Sequence, residues 1–350
     1  MIEVLVVDDS PVAREFLVYL LDSDPAIRVV GTVTNGKQAI EALKEKKPDV
    51  ITMDIHMPEM DGFEATRRIM ETSPTPIVIV TANEDPREVR ISFRAIEAGA
   101  LAVVPRPRGL GHPEFESNAS ELIQTVKLMS EVKVVRRWNR ARALAAPPAA
   151  AVREIDVNGD NREVQVVAIG ASTGGPVALQ TILSRLPRDF ATPALIVQHM
   201  ASGFTRGFVD WLNHSARLPV HLAAHGETLL AGHVYVAPDG FQMGVKVTGR
   251  IALSHDAPEY GLRPSVSFLF RSLAEVYGRR SVGVLLTGMG KDGAAELQSM
   301  KERGAITFAQ DEESSVVHGM PGEAIKLEAA TYVLPPDKIA AALQSLVKKA

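Results

Sequence analysis

Residues 4–11 read VLVVDDSP, and residues 50–54 read VITMD. Each is a short apolar run that stops on an acidic residue. A helical pattern follows each: Val12–Leu21 after the first and Phe63–Met70 after the second. The same alternation fills the surrounding sequence. Ile27–Val33 precedes Lys37–Glu45, Ile77–Val80 precedes Arg87–Ala98, and Leu101–Val104 precedes a helix over Ala119–Val132. Short apolar strands alternating with amphipathic helices predict a doubly wound, five-stranded parallel sheet over residues 1–130, covered on both faces.

The rhythm returns in the second half. Val164–Ile169, Ala194–Gln198, Val234–Val236, Val282–Leu286 and Ile306–Phe308 are strand candidates. Helical patterns fall at Val177–Leu186, Phe204–Ser215, Val266–Val276, Ala294–Glu302 and Lys338–Leu346. Gly240 to Leu253 reads as a hairpin turning at Thr248-Gly249. The expectation for 163–350 is a mostly parallel α/β sheet with one small antiparallel hairpin. Between the halves, residues 131–162 read as a linker, basic at first and then rich in Ala and Pro. The basic stretch holds Lys133, Arg136, Arg137, Arg140 and Arg142, but its one aromatic is Trp138. That composition suits a solvated helix end, not a nucleic-acid surface.

Length and composition agree with two globular domains. The chain has 350 residues, 46% hydrophobic and 23% charged, and a domain takes roughly 150 residues. Lys and Arg total 38 against 42 acids, a net charge of −4, too mild to imply a polyanionic partner. There is no Cys, which excludes thiol nucleophiles, disulfides, thiolate zinc sites and iron–sulfur clusters. No apolar run is long enough to span a bilayer, and no basic segment leads an apolar stretch at the start. The expectation is a cytoplasmic protein that is not inserted in a membrane.

Two sets of residues carry chemistry. In the first half, Asp8 and Asp9 end strand one and Asp54 ends strand three. The carboxyl ends of parallel strands line the ligand crevice. Three carboxylates meeting there repel one another unless a cation offsets them, and oxygen donors with water favour Mg²⁺. Thr81 ends strand four, and Arg106 stands near the end of strand five. A carboxylate nucleophile, a divalent ion, a hydroxyl and a cation suit the transfer of a phosphoryl group to Asp54. Alone, the Asp8-Asp9 pair is equally consistent with a helix cap.

On VLVVDDSP (4–11), MDIHMPEMDG (53–62), VTA (80–82) and VPRP (104–107), residues 2–107 resemble the receiver domain of two-component response regulators. The resemblance implies that Asp9 contacts Mg²⁺ directly and Asp8 through water. It makes Asp54 the phosphorylated residue and the backbone carbonyl of His56 a further metal ligand. Thr81 then hydrogen-bonds the phosphoryl group, and Gly62 serves the tight turn. Two positions depart from the pattern. Arg106 replaces the usual Lys, and no aromatic precedes it, because Ala102-Val103-Val104 stands there. Weaker transmission of phosphorylation is therefore expected.

In the second half, IGASTGGP (169–176) joins a strand to a helix. Its glycines permit a tight turn that exposes Ser172 at a helix N-terminus, where free N–H groups favour developing negative charge. G-x-x-x-G-G is not a dinucleotide fingerprint. A structural cap and a nucleophile both remain open for Ser172. The next strand ends at His199, and the strand Val282–Leu286 leads into a glycine-rich loop holding Asp292. Ser172, His199 and Asp292 are thus expected on one edge of one sheet, as a triad requires.

With QHM (198–200), RPSVSFLF (263–270), LLTGMGKDGA (285–294) and VHGMPGEA (317–324), residues 164–350 resemble the catalytic domain of chemotaxis protein-glutamate methylesterases. The resemblance implies Ser172 as nucleophile, His199 as general base and Asp292 as its orienter, with Thr173 and the backbone at Met289 binding the oxyanion. It implies demethylation of glutamate γ-methyl esters on cytoplasmic helices of chemoreceptors, and deamidation of glutamine in many relatives. A chemotaxis histidine kinase is the implied phosphodonor. No cofactor is implied for the hydrolysis. A regulatory interaction module with a weak or inactive esterase domain is the alternative. Arg263 is read either as a contact for an acidic substrate or as a cap on the following helix. His214, His221, His225, His233 and His255 lack metal-ligand spacing.

Overall fold

The computed structural model describes residues 1–82, 86–109, 111–112, 115–132, 134 and 163–347, without the side chains of 86–90. The chain divides into two compact units, Met1–Ala149 and Ala150–Ala350. Apart from residues 131, 132 and 134, the linker expected over 131–162 lies outside the described residues.

The first unit alternates strand and helix: β1 (Ile2–Val7), α1 (Pro11–Asp22), β2 (Ile27–Val33), α2 (Gly36–Glu45), β3 (Val50–Met53), α3 (Gly62–Thr72), β4 (Ile77–Thr81), α4 (Pro86–Ala98), β5 (Ala102–Pro105) and α5 (Phe115–Ser130). The strand order is β2-β1-β3-β4-β5, with every pairing parallel. β3 and β4 are buried throughout, which is why they read as unbroken apolar runs. Helix starts are set by side chains that accept from orphan N–H groups. Ser10, Asn35 and Asp61 cap α1, α2 and α3. Leu5, Ile51, Met53, Ile69 and Ile79 build the core.

The second unit runs β6 (Val166–Ala171), α6 (Gly175–Leu183), β7 (Ala194–Gln198), α7 (Thr205–Ser215), β8 (Val220–Leu222), β9 (Val234–Val236), β10 (Gln242–Val245), β11 (Ile251–Ser254), α8 (Val266–Val276), β12 (Ser281–Leu285), α9 (Ala294–Glu302), β13 (Ile306–Gln310), α10 (Met320–Lys326), β14 (Tyr332–Leu334) and α11 (Pro336–Leu346). Seven strands form a parallel sheet in the order β14-β13-β12-β6-β7-β9-β8. The hairpin pairs β10 with β11 in antiparallel register, Gln242 with Ser254 through Val245 with Ile251. Its turn includes Gly249, whose φ is 74°.

Both sheets place a topological switch point where the chemistry was expected. β1 has β2 on one side and β3 on the other; β6 has β7 on one side and β12 on the other. Successive connections leave in opposite directions at such points and open a crevice at the strands' carboxyl ends. Among the described residues no helix is long and apolar enough to cross a membrane.

Candidate active site

The first crevice holds the acidic cluster. Carboxylate oxygens of Asp8, Asp9 and Asp54 all lie within 4.8 Å of one another. Arg106 reaches in from beyond β5, with Nη2 2.7 Å from Asp8 Oδ2 and 3.7 Å from Asp54 Oδ1. Its Nε is buried and, among the described residues, has no hydrogen-bond partner. Burial, then the neighbouring Asp8 charge, pushes the Asp54 carboxyl up to about 6. Burial also raises Asp8 above the usual carboxylate range, against the pull of Arg106. Thr81 is buried at the end of β4, and His56 is exposed two residues beyond Asp54. Gly62 lies where a Cβ would stand 2.2 Å from the Asp54 carbonyl oxygen, so any side chain there would displace the loop carrying Asp54. Val103 is half-buried and packs on the sheet core, so this branched side chain stands in place of an aromatic.

The donors suit a hard divalent cation. They are carboxylate oxygens, convergent, and carry more negative charge than one guanidinium offsets. Asp54→Asn removes one of the three clustered charges. Above neutral pH in metal-free buffer, the variant should unfold at a higher temperature, with the first unit more stable by about 1–3 kcal/mol. Added Mg²⁺ should then stabilise it less than the native chain. Thermal melts with and without Mg²⁺ check both; equal responses would count against a shared ion site.

In the second crevice, Ser172 follows β6, His199 follows β7, and Asp292 lies in the loop after β12. The turn carrying Ser172 is tightly bound. Ser172 N–H donates to the Thr287 carbonyl at 3.0 Å, and Gly175 N–H donates to the Ser172 carbonyl at 2.8 Å. Gly174 holds φ at 80°, and a Cβ there would also meet Val316 at 2.5 Å. The Ser172 side chain is half-buried, and among the described residues no hydrogen bond engages its hydroxyl.

His199 is brought to Asp292, Nε2 to Oδ2, at 2.9 Å. Asp292 is buried, with four donors on its two oxygens. Oδ1 accepts from Ser265 Oγ and Ser267 N–H, each at 2.9 Å. Oδ2 accepts from Val266 N–H at 2.7 Å besides the ring of His199. The Ser265, Val266 and Ser267 donors form the N-terminus of α8, whose dipole favours a carboxylate. Burial works to raise this acid, but the His199 ring and the Ser267 donors outweigh it and hold it below the usual range. A charged Asp292 fixes the ring proton on Nε2 and leaves the Nδ1 lone pair free to act as a base.

Several residues that shape this site escaped the sequence reading. Gln198, buried at the end of β7, donates from Nε2 to the carbonyls of both Ser172 and His199 at 2.8 Å each. One amide thus ties the loop of the serine to that of the histidine. Thr287 donates its hydroxyl to the Thr173 carbonyl at 2.9 Å and accepts from Val317 N–H at 2.9 Å. A buried Gln ending an otherwise apolar strand was the available signal for the first. The cap of α8 is Ser265, which accepts from Phe268 N–H. Arg263 does not cap it, since a guanidinium has no acceptor; it donates to the carbonyls of His255 and Asp256 at 3.3 and 3.4 Å. Among the described residues, no hydrogen bond engages the N–H groups of Thr173 or Met289. His221 and His233 pair with each other, Nε2 to Nδ1, at 2.9 Å.

Residues 167–343 match the family model of CheB methylesterase, and residues 4–111 that of the response regulator receiver domain. A protein-glutamate methylesterase/protein-glutamine glutaminase of Nitrosospira multiformis is 61% identical over 347 residues, covering 99% of this chain and 97% of that protein. One from Geobacter metallireducens is 56% identical over 347 residues, 99% of each chain. The crystal structure of the Thermotoga maritima CheB methylesterase catalytic domain aligns with a TM-score of 0.51 and 40% identity, over 52% of this chain and 98% of that one.

Proposed function

Because the chain belongs to the CheB methylesterase family, with a receiver domain ahead of the catalytic one, we propose that it hydrolyses γ-methyl esters of glutamate on the cytoplasmic helices of chemoreceptors and deamidates glutamine at such positions. The observation that carries this reading is the His199–Asp292 pair at the carboxyl edge of the sheet, tied through Gln198 to the turn bearing Ser172.

Ser172 Oγ attacks the ester carbonyl carbon while His199 Nδ1 takes the hydroxyl proton. The carbonyl oxygen gains negative charge, and the uncommitted N–H groups of Thr173 and Met289 suit it. The N–H of Ser172 itself is already engaged by Thr287. Collapse breaks the carbon–oxygen bond to the methoxy group, which leaves as methanol with the proton from His199. Water then attacks the acyl-enzyme, gives a proton to His199, and releases glutamate and free Ser172. With glutamine the leaving group is ammonia, and the acyl-enzyme is the same. The full chain should release one methanol per ester from a methylated receptor fragment, and ammonia from the glutamine form. Gas chromatography and an ammonia assay check this; neither product would overturn the reading.

In the first unit, Asp8, Asp9, Asp54 and the His56 carbonyl would hold Mg²⁺, which when bound offsets charge during phosphorylation. Asp54 takes the phosphoryl group from a chemotaxis histidine kinase, with Arg106 and Thr81 beside it. The first unit restrains the esterase. Removing residues 1–154 should raise methanol release several-fold, and a small-molecule phosphodonor should activate the full chain more weakly than it activates relatives with an aromatic at this place, because Val103 offers none to move. Equal rates for the truncated and full chains would exclude restraint. Strong activation by the phosphodonor, unchanged in Val103→Phe, would exclude the argument from the missing aromatic.

A further inference from the structure

The turn before α8 presents an aromatic in an unusual way. Glu259 and Leu262 exchange backbone hydrogen bonds at 3.0 and 2.8 Å. Between them Tyr260 and Gly261 both take left-handed conformations, with φ of 52° and 79°. That is the two-residue turn whose first position ordinarily takes Asn or Gly, and a bulky side chain is disfavoured there. Tyr260 is nevertheless 56% exposed. The turn is braced, since Glu259 pairs with Arg271 of α8, which also reaches Glu296 of α9 at 3.5 Å.

Lys291 adjoins Asp292 and is exposed. Its Nζ lies 5.6 Å from the Tyr260 ring centroid. Among the described residues no carboxylate pairs with it. The nearby acids are otherwise engaged: Glu259 and Glu296 by Arg271, and Asp292 by its four donors. Met289, on the same loop, is 48% exposed. A Cβ on Gly288 would stand 2.5 Å from Ser172 Cβ, so this loop borders the serine directly. The rim beside the triad therefore offers an aromatic face, a thioether and one cation that, among the described residues, no carboxylate pairs with directly.

We propose that Lys291, steadied over Tyr260, binds a carboxylate on the substrate helix one or two turns from the scissile ester. This rests on the ester hydrolysis proposed above. Its consequence is directional. Each turnover replaces a neutral ester or amide with a carboxylate, and residues one turn apart on a helix are separated by about 5.4 Å. A modified helix therefore gains, with every product, the group that Lys291 recognises. Hydrolysis at one position recruits the enzyme to the next.

The test measures binding, so turnover does not interfere. Full-length Ser172→Ala is titrated with two dye-labelled helical peptides, each carrying one glutamyl methyl ester, with Glu or Gln one turn away. Fluorescence anisotropy should show the Glu peptide binding about fivefold tighter at low salt, as an ion pair at a partly exposed rim allows. The advantage should shrink as salt rises. Adding Lys291→Gln should abolish it, Lys291→Arg should retain it, and Tyr260→Ala should weaken it by freeing the cation. Equal binding of the two peptides, or an advantage that survives Lys291→Gln, overturns the proposal. If the native chain releases no methanol while the preference persists, the reaction assigned above fails and the carboxylate site stands.

Discussion

Replacing Ser172 by Ala should lower methanol release by a thousandfold or more while leaving the melting midpoint unchanged. The activity loss follows from chemistry: without Oγ there is no acyl-enzyme, and what remains is binding and the oxyanion donors, so a loss of roughly 10³ or more is expected. The preserved midpoint follows from structure. Among the described residues no hydrogen bond engages the hydroxyl, and the turn is held by the backbone of Ser172, which Ala retains. The check is kcat on a methylated receptor fragment beside a thermal melt. Activity within a factor of about two of the native chain would remove Ser172 from the mechanism.

Asp292→Asn should behave differently, with activity and stability lost together. Its two oxygens accept from Ser265 Oγ, Ser267 N–H, Val266 N–H and the His199 ring. An asparagine offers one oxygen and one NH₂ group. Turned one way, the NH₂ meets Val266 N–H and forces His199 to present a lone pair at Nε2, which moves its proton onto the nitrogen needed as the base. Turned the other way, it meets Ser267 N–H. A backbone donor cannot reverse, so each orientation sets donor against donor, at a cost of about 1–3 kcal/mol. The wrong tautomer should lower kcat by roughly 10³–10⁴. A variant that keeps more than about a tenth of native activity would show that the asparagine oxygen stays on the His199 side or that the tautomer is set elsewhere.

Much of this architecture was legible because parallel strands buried on both faces leave continuous apolar runs. Val50–Met53, Ile77–Val80, Ala194–Gln198 and Val282–Leu285 are such runs, and each is a strand. The strands that escaped notice are β8 and β14, three residues each at the two edges of the second sheet, with only one of those six residues buried. α10 escaped because it is one short segment with Pro321 and Gly322 in its first turn. The residues of the two crevices were legible because each ends, or closely follows, a recognisable strand. Gln198, Ser265, Ser267 and Thr287 were not legible as parts of a site. Their contribution is a hydrogen bond to a group distant in sequence, and nothing in composition or periodicity marks such a partner. Ser265 looks like any helix cap until Asp292 is placed beside it.

The seat of Asp292 at the head of α8 also gives this enzyme an internal gauge. The amide protons of Val266 and Ser267 both end on that carboxylate. Their exchange with deuterated solvent therefore reports how firmly the acid is held. Rotating Asp292 out of this seat releases both protons at once, and neutralising it weakens the hold on them. Two adjacent amides, followed by mass spectrometry in the resting protein, thus make the readiness of a buried acid observable before any ester is bound.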